Sequence, residues 1–157
     1  MDSRIGYDDD FYAWTQEQAR LLREAARERL NTPIDWEHVA EEIEDMGRND
    51  RRAINSHLAR VIEHLLKLEL SPASDPRSGW RKSVREQRAA AVDALADSPS
   101  LKSHMDLPFA FRRGRGFATD GLGQDRIDER ELPVECPYAL EQILDEDWWP
   151  TNRHGLE

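Results

Sequence analysis

Residues 35–47 read Asp35-Trp36-Glu37-His38-Val39-Ala40-Glu41-Glu42-Ile43-Glu44-Asp45-Met46-Gly47, and the periodicity of this stretch decides the fold class. At 100° per residue Trp36, Val39, Ala40, Ile43 and Met46 share one stripe, while Glu37, His38, Glu41, Glu42, Glu44 and Asp45 fill the remaining surface. This is the pattern of an amphipathic helix with an unusually acidic exterior. Asp35 is placed to cap its start and Gly47 to end it.

The same period recurs on both sides. Asp8 is positioned to cap an earlier helix with the stripe Phe11, Trp14, Gln18, Leu21, Leu22 and Ala25, running to about Leu30 before the breaker Asn31-Thr32-Pro33. Beyond Gly47 a third helix is expected from about Asn49 to Leu70, with Ile54, Leu58, Val61, Ile62, Leu65, Leu66 and Leu68 forming a broad apolar face. After a Pro-containing loop, Ser78 precedes a fourth helix whose stripe is Trp80, Val84, Gln87, Ala91, Ala94 and Leu95. Arg81, Arg85 and Arg88 form a basic row beside it. Ser98-Pro99 can start a fifth segment. From Leu107 onward, Gly114, Gly116, Gly121 and Gly123 predict a broken helix and then a loop, since an interior glycine costs about 1 kcal/mol relative to alanine. A short helix from Pro137 to about Leu144 precedes Trp148-Trp149-Pro150, and these tryptophans are expected to dock. The expected fold is an all-α bundle of four main helices with a short C-terminal helix and a Trp-containing tail, in a single domain over residues 1–157.

Composition narrows the function classes. With 22 basic and 32 acidic residues the formal charge is −10, so a general polyanion binder is disfavoured and nucleic acid is not expected as a partner. One cysteine, Cys136, excludes an intramolecular disulfide and a Cys-rich zinc site. No apolar run approaches the roughly 20 residues of a membrane span, and the first residues lack the apolar core of a signal peptide; a cytoplasmic location is expected. No Gly-rich phosphate loop or nucleophile elbow occurs, and no cofactor is expected.

Several pieces occur in a fixed order: Tyr7-Asp8-Asp9-Asp10-Phe11-Tyr12-Ala13-Trp14, the stretch Trp36 to Gly47, His64-Leu65-Leu66-Lys67, Trp80-Arg81 with Arg85-Glu86-Gln87-Arg88, Cys136-Pro137-Tyr138, and Leu144-Asp145-Glu146-Asp147. This succession resembles the bacterial family known as domain of unknown function 29, over about Tyr7 to Pro150. The resemblance implies a small all-helical protein. It carries no catalytic residues over, because the family has no established biochemical activity.

Four constellations can bear function. The carboxylates Glu37, Glu41, Glu42 and Asp45 offer an interaction face to a protein partner or a second copy of the chain. Glu41, His57 and His64 form the best available metal set, although the Glu-x-x-His spacing of helical metal proteins is absent. Gln18 and Gln87 lie in apolar stripes and could join His57 and His64 in a buried polar network or line a ligand pocket. Arg81, Arg85 and Arg88 could pair with the acidic helix and fix its register. The preferred reading is a non-enzymatic interaction module using the acidic face. The alternative is a metal- or small-ligand-binding helical protein, enzymes included, that uses Glu41, His57 and His64.

Overall fold

The computed structural model describes Arg4–Glu157, and the described residues form helices and turns without a β-strand. Four long helices, α1 (Phe11–Arg27), α2 (Trp36–Leu70), α3 (Arg77–Asp97) and α4 (Leu107–Gly123), are followed by the short α5 (Leu140–Leu144). Single 3₁₀ segments lie at Pro99–His104 and Glu129–Glu131. The expected all-helical class holds, with four main helices and a short C-terminal one, but several boundaries differ from the sequence reading.

First, Gly47 does not end a helix. The acidic stretch and the apolar stretch after it form one continuous 35-residue helix, α2. Gly47 is buried inside it, and the space its Cβ would occupy is filled by the Thr15 hydroxyl of α1. The glycine therefore serves close approach of two helices and not a left-handed cap. Second, residues 107–123 are not a broken helix. Asp106 caps α4 by accepting from the Phe109 amide at 3.0 Å, and Pro108 lies in the first turn, where a missing N–H costs nothing.

The chain folds as two compact units. One comprises the stretch ending at Ala53 together with Asp93–Met105. Its α1 starts at Asp10 and not at Asp8: the Asp10 carboxylate accepts from the Ala13 amide at 2.9 Å and also from the amide and hydroxyl of Ser100. Ser98, read as the cap of its own segment, accepts from the Tyr12 amide at 3.0 Å instead. Both residues thus satisfy amides that a helix start leaves without an internal partner. The buried face of α1 is Tyr12, Thr15 and Ala19, rotated from the predicted stripe, whose members are half-buried. Tyr12 lies against the His104 ring at 4.8 Å, and Phe11 and Trp14 pack with Tyr7.

The other unit comprises Ile54–Val92 and Asp106–Glu157. Its core is the apolar half of α2, where Ile54, Leu58, Val61, Ile62, Leu65 and Leu66 are fully buried, joined by Val84, Leu122 and Ile143. The chain after α5 closes over the end of α2. The Asn152 amide donates to the carbonyls of Leu68 and Ser71 at 2.8 and 2.9 Å, and Arg77 donates to Leu68 O at 2.8 Å. These bonds satisfy carbonyls that the helix terminus cannot pair itself. Trp148 meets the Tyr138 ring edge-on at 5.5 Å, and both tryptophans of the tail are half-buried.

Candidate functional site

The acidic half of α2 divides its charges unevenly. Asp35 caps the helix through the His38 amide and also pairs with the His38 ring at 2.6 Å. That hydrogen bond holds the Asp35 carboxyl below its ordinary value and raises the imidazole above its own. Glu44 pairs with Arg23 of α1 at 2.6 Å, and the guanidinium lowers its carboxyl. Asp45 is half-buried and paired with Arg48. Glu37, Glu41 and Glu42 remain exposed, and neither Glu41 nor Glu42 enters an ion pair among the described residues. Beside them the apolar stripe is incompletely covered: Val39 is 39% and Met46 50% exposed.

Of the proposed polar network, the structure brings two members together. The His57 Nδ1–H donates to Gln87 Oε1 at 2.7 Å, which fixes the tautomer of a half-buried imidazole. His64 is bonded elsewhere, donating from Nδ1 to the Arg60 carbonyl at 2.8 Å. Gln18 is half-buried on α1, in the other unit. The metal set is not assembled: among the described residues no three His, Cys, Asp or Glu side chains are grouped to hold an ion. Glu41 is exposed, and each histidine has one ring nitrogen committed to a neighbour.

A carboxylate absent from the sequence candidates is the more notable one. Glu63 is buried on α2, with Lys67 and Arg60 each at 2.9 Å and His64 at 3.9 Å. Burial pushes its carboxyl up, but the hydrogen bonds from Lys67 and Arg60 outweigh that and hold it below the usual range. The one-turn spacings Arg60–Glu63 and Glu63–Lys67 were visible in the chain. What was not visible was that Glu63 faces inward.

The basic row has a different role from the one its spacing suggested. Arg88 is completely buried, between Val84 and Ala91 on the packed face of α3. Its Nε and Nη2 donate to the carbonyls of Ile143 and Gln142 at 2.7 and 2.9 Å, so the guanidinium closes the end of α5 and is not paired with the acidic helix. Its Nη1 is buried without a hydrogen-bond partner. Burial lowers its pKa, while Asp145 and Glu146 oppose that shift. The guanidinium carbons of Arg81, Arg85 and Arg88 lie 4.8, 5.4 and 5.0 Å from the centre of the Trp149 ring, so the docked tail organises all three. A cleft of about 490 Å³ opens here, lined by Arg85, Arg88, Ala89, Glu146, Asp147 and Trp149.

Two further clefts are chemically plainer. Tyr7, Asp8, Phe11, Asp50 and Asp97 border about 360 Å³, and burial, reinforced by Asp97, raises the Asp50 carboxyl. Cys136 borders an apolar cleft with Leu107, Phe111 and Val134; burial raises its thiol, the opposite of what activates a nucleophile.

No helix among the described residues is long and apolar enough to cross a membrane. No curated protein matches the chain. A solved structure, the crystal structure of an alpha-helical protein of unknown function from Rhodospirillum rubrum, is similar at 29% identity, with 93% of each chain covered and a TM-score of 0.82. The model of the family described as domain of unknown function DUF29 matches residues 6–149. With nearly its whole length matched, the chain belongs to that family.

Proposed function

We propose that this protein is a non-enzymatic interaction module that uses the first half of α2 to bind a basic segment of a protein partner. The observation carrying this reading is the pairing of Val39 and Met46, seven residues apart on one helix face and both substantially exposed, with the exposed carboxylates Glu37, Glu41 and Glu42. An i, i+7 pair of uncovered apolar side chains is the spacing by which helices dock against other surfaces. Leu30 and Ile34, exposed in the approach to the helix, add apolar surface in the same unit. Unpaired carboxylates on the flank favour a cationic partner and steer its encounter. Asp45, paired with Arg48, contributes less charge to this face than its sequence position suggested.

A photo-crosslinking residue in place of Met46, with mass-spectrometric identification of the product, tests this reading. A crosslink to a basic segment, lost in the Glu41→Lys/Glu42→Lys double variant while circular dichroism is unchanged, supports it. A crosslink that survives the charge reversal overturns the charge-based part, and a crosslink to a second copy transfers the face to self-association.

A further inference from the structure

The cleft between α3 and the loop after α5 contains an unusual combination. Arg88 is wholly inaccessible, yet one of its terminal nitrogens is without an acceptor. A guanidinium has five N–H donors and no acceptor, so Nη1 can be satisfied only by an oxygen or similar acceptor brought to it. An uncompensated buried donor costs about 1–3 kcal/mol, more for a charged group. Natural sites that tolerate such a cost commonly supply the partner from a ligand or from water.

Charge balance restricts what the partner can be. Three guanidiniums, Arg81, Arg85 and Arg88, surround Trp149, and the adjoining loop supplies three carboxylates, Asp145, Glu146 and Asp147. The Asp145 carboxylate also accepts from the Asp147 amide at 2.9 Å, which fixes the turn. A simple anion on Nη1 would leave this neutral group with surplus negative charge beside Glu146 and Asp147. A simple cation could not satisfy Nη1 at all. A molecule with both charges answers both demands, and about 490 Å³ is within the usual range for small-molecule sites.

We propose that this cleft binds a small zwitterion of the free amino acid class, its carboxylate accepting from Arg88 Nη1 and Arg85 and its ammonium facing Glu146 and Asp147. Because Nη1 has no accessible surface in this structure, the occupant engages it through a small shift of the groups that cover it, while the exposed residues of the rim hold the rest of the molecule. Trp149 is not a stacking platform for it, because the ring is already engaged by the guanidiniums. The site shares no residue with the acidic face of α2 and does not depend on the interaction reading.

The test is a titration of the folded, ¹⁵N-labelled protein followed by the indole signal of Trp149. The probes are the twenty standard amino acids, with acetate and methylammonium as single-charge controls. Saturable binding of at least one amino acid with Kd near or below about 1 mM, and each control weaker by about tenfold or more, is expected. Arg88 variants can fail to fold, so the rim substitutions Arg85→Gln and Glu146→Gln carry the test. Each should weaken binding about tenfold or more with unchanged circular dichroism. No response from any amino acid overturns the proposal. So do acetate binding as tight as the best amino acid, rim variants that bind as wild type, or a crystal soaked with the amino acid that shows only an ordered water on Nη1.

Discussion

Gly114 of α4 lies directly against the main chain of Ala59 on α2: a Cβ added at Gly114 would sit 2.6 Å from the Ala59 carbonyl oxygen and 3.0 Å from the Ile62 side chain. Backbone cannot retreat as a flexible side chain can. Gly114→Ala should therefore destabilise the protein by about 1–3 kcal/mol through overpacking, despite the higher helix propensity of alanine. Gly116, two residues on, has nothing within 4 Å of its would-be Cβ. Gly116→Ala should stabilise by up to about 1 kcal/mol. Denaturant unfolding of the two variants checks the opposite signs, and equal signs would refute the packing argument.

Arg88→Met removes the two bonds that close the end of α5 and strands the carbonyls of Gln142 and Ile143. It also relieves a buried charge, but truncating one side of a buried charge-assisted pair generally dominates. A loss of about 2–4 kcal/mol is expected, with faster proteolysis in residues 140–150. A variant as stable as wild type would mean that the guanidinium contributes nothing net to holding α5.

Acid should selectively loosen the α2 ion cluster. The Glu63 carboxyl is held below its ordinary 4.5 in the folded protein, so it binds fewer protons than in the unfolded chain. Its stabilising contribution is full above about pH 4.5 and fades as the pH falls through the lowered native value. Melting temperature measured against pH should drop below that point, and Glu63→Gln should be less stable at neutral pH with a flatter acid limb. An acid limb identical to wild type would assign the loss to other carboxylates.

Asn152→Ala should cost about 1–3 kcal/mol, because the side chain is 4% exposed and its amide donates to the carbonyls of both Leu68 and Ser71. Hydrogen exchange after the substitution should rise first in residues 150–157. Unchanged protection there would show that the neighbouring Arg153 amide bond to Glu69 O is sufficient.

The helical class was legible because a 3.6-residue period is a local property, and α1, α2 and α3 each display it over several turns. The glycines misled because their meaning depends on what they touch. Gly47 resembles a stop signal until Thr15 is seen in its Cβ space, and the glycines of α4 resemble breakers until Gly114 is seen against Ala59. Asp106 and Pro108 together mark the start of α4, but a proline and four glycines within 17 residues have the composition of a breaker until their packing neighbours are known. The basic row was readable as a spacing, not as a burial. Nothing near Arg88 in sequence announces that carbonyls more than 50 residues away converge on it. The Glu37, Glu41 and Glu42 face was visible because exposure of isolated carboxylates is the default. The carboxylate at Glu63 was not, because its inward orientation depends on the packed neighbours of α2.

The closure of α2 by the chain after α5 also bears on the order in which the molecule forms. Its acceptors, Leu68 O and Ser71 O, lie over 80 residues from Asn152 and are presented together only after the last turn of α2 exists. Forming so distant a contact early would close a long loop with little yet gained in return. Residues 150–157 should then dock after the rate-limiting step. Substitutions such as Asn152→Ala should accelerate unfolding while leaving the refolding rate nearly unchanged, which makes this segment a kinetic clasp on a helix that nucleates without it.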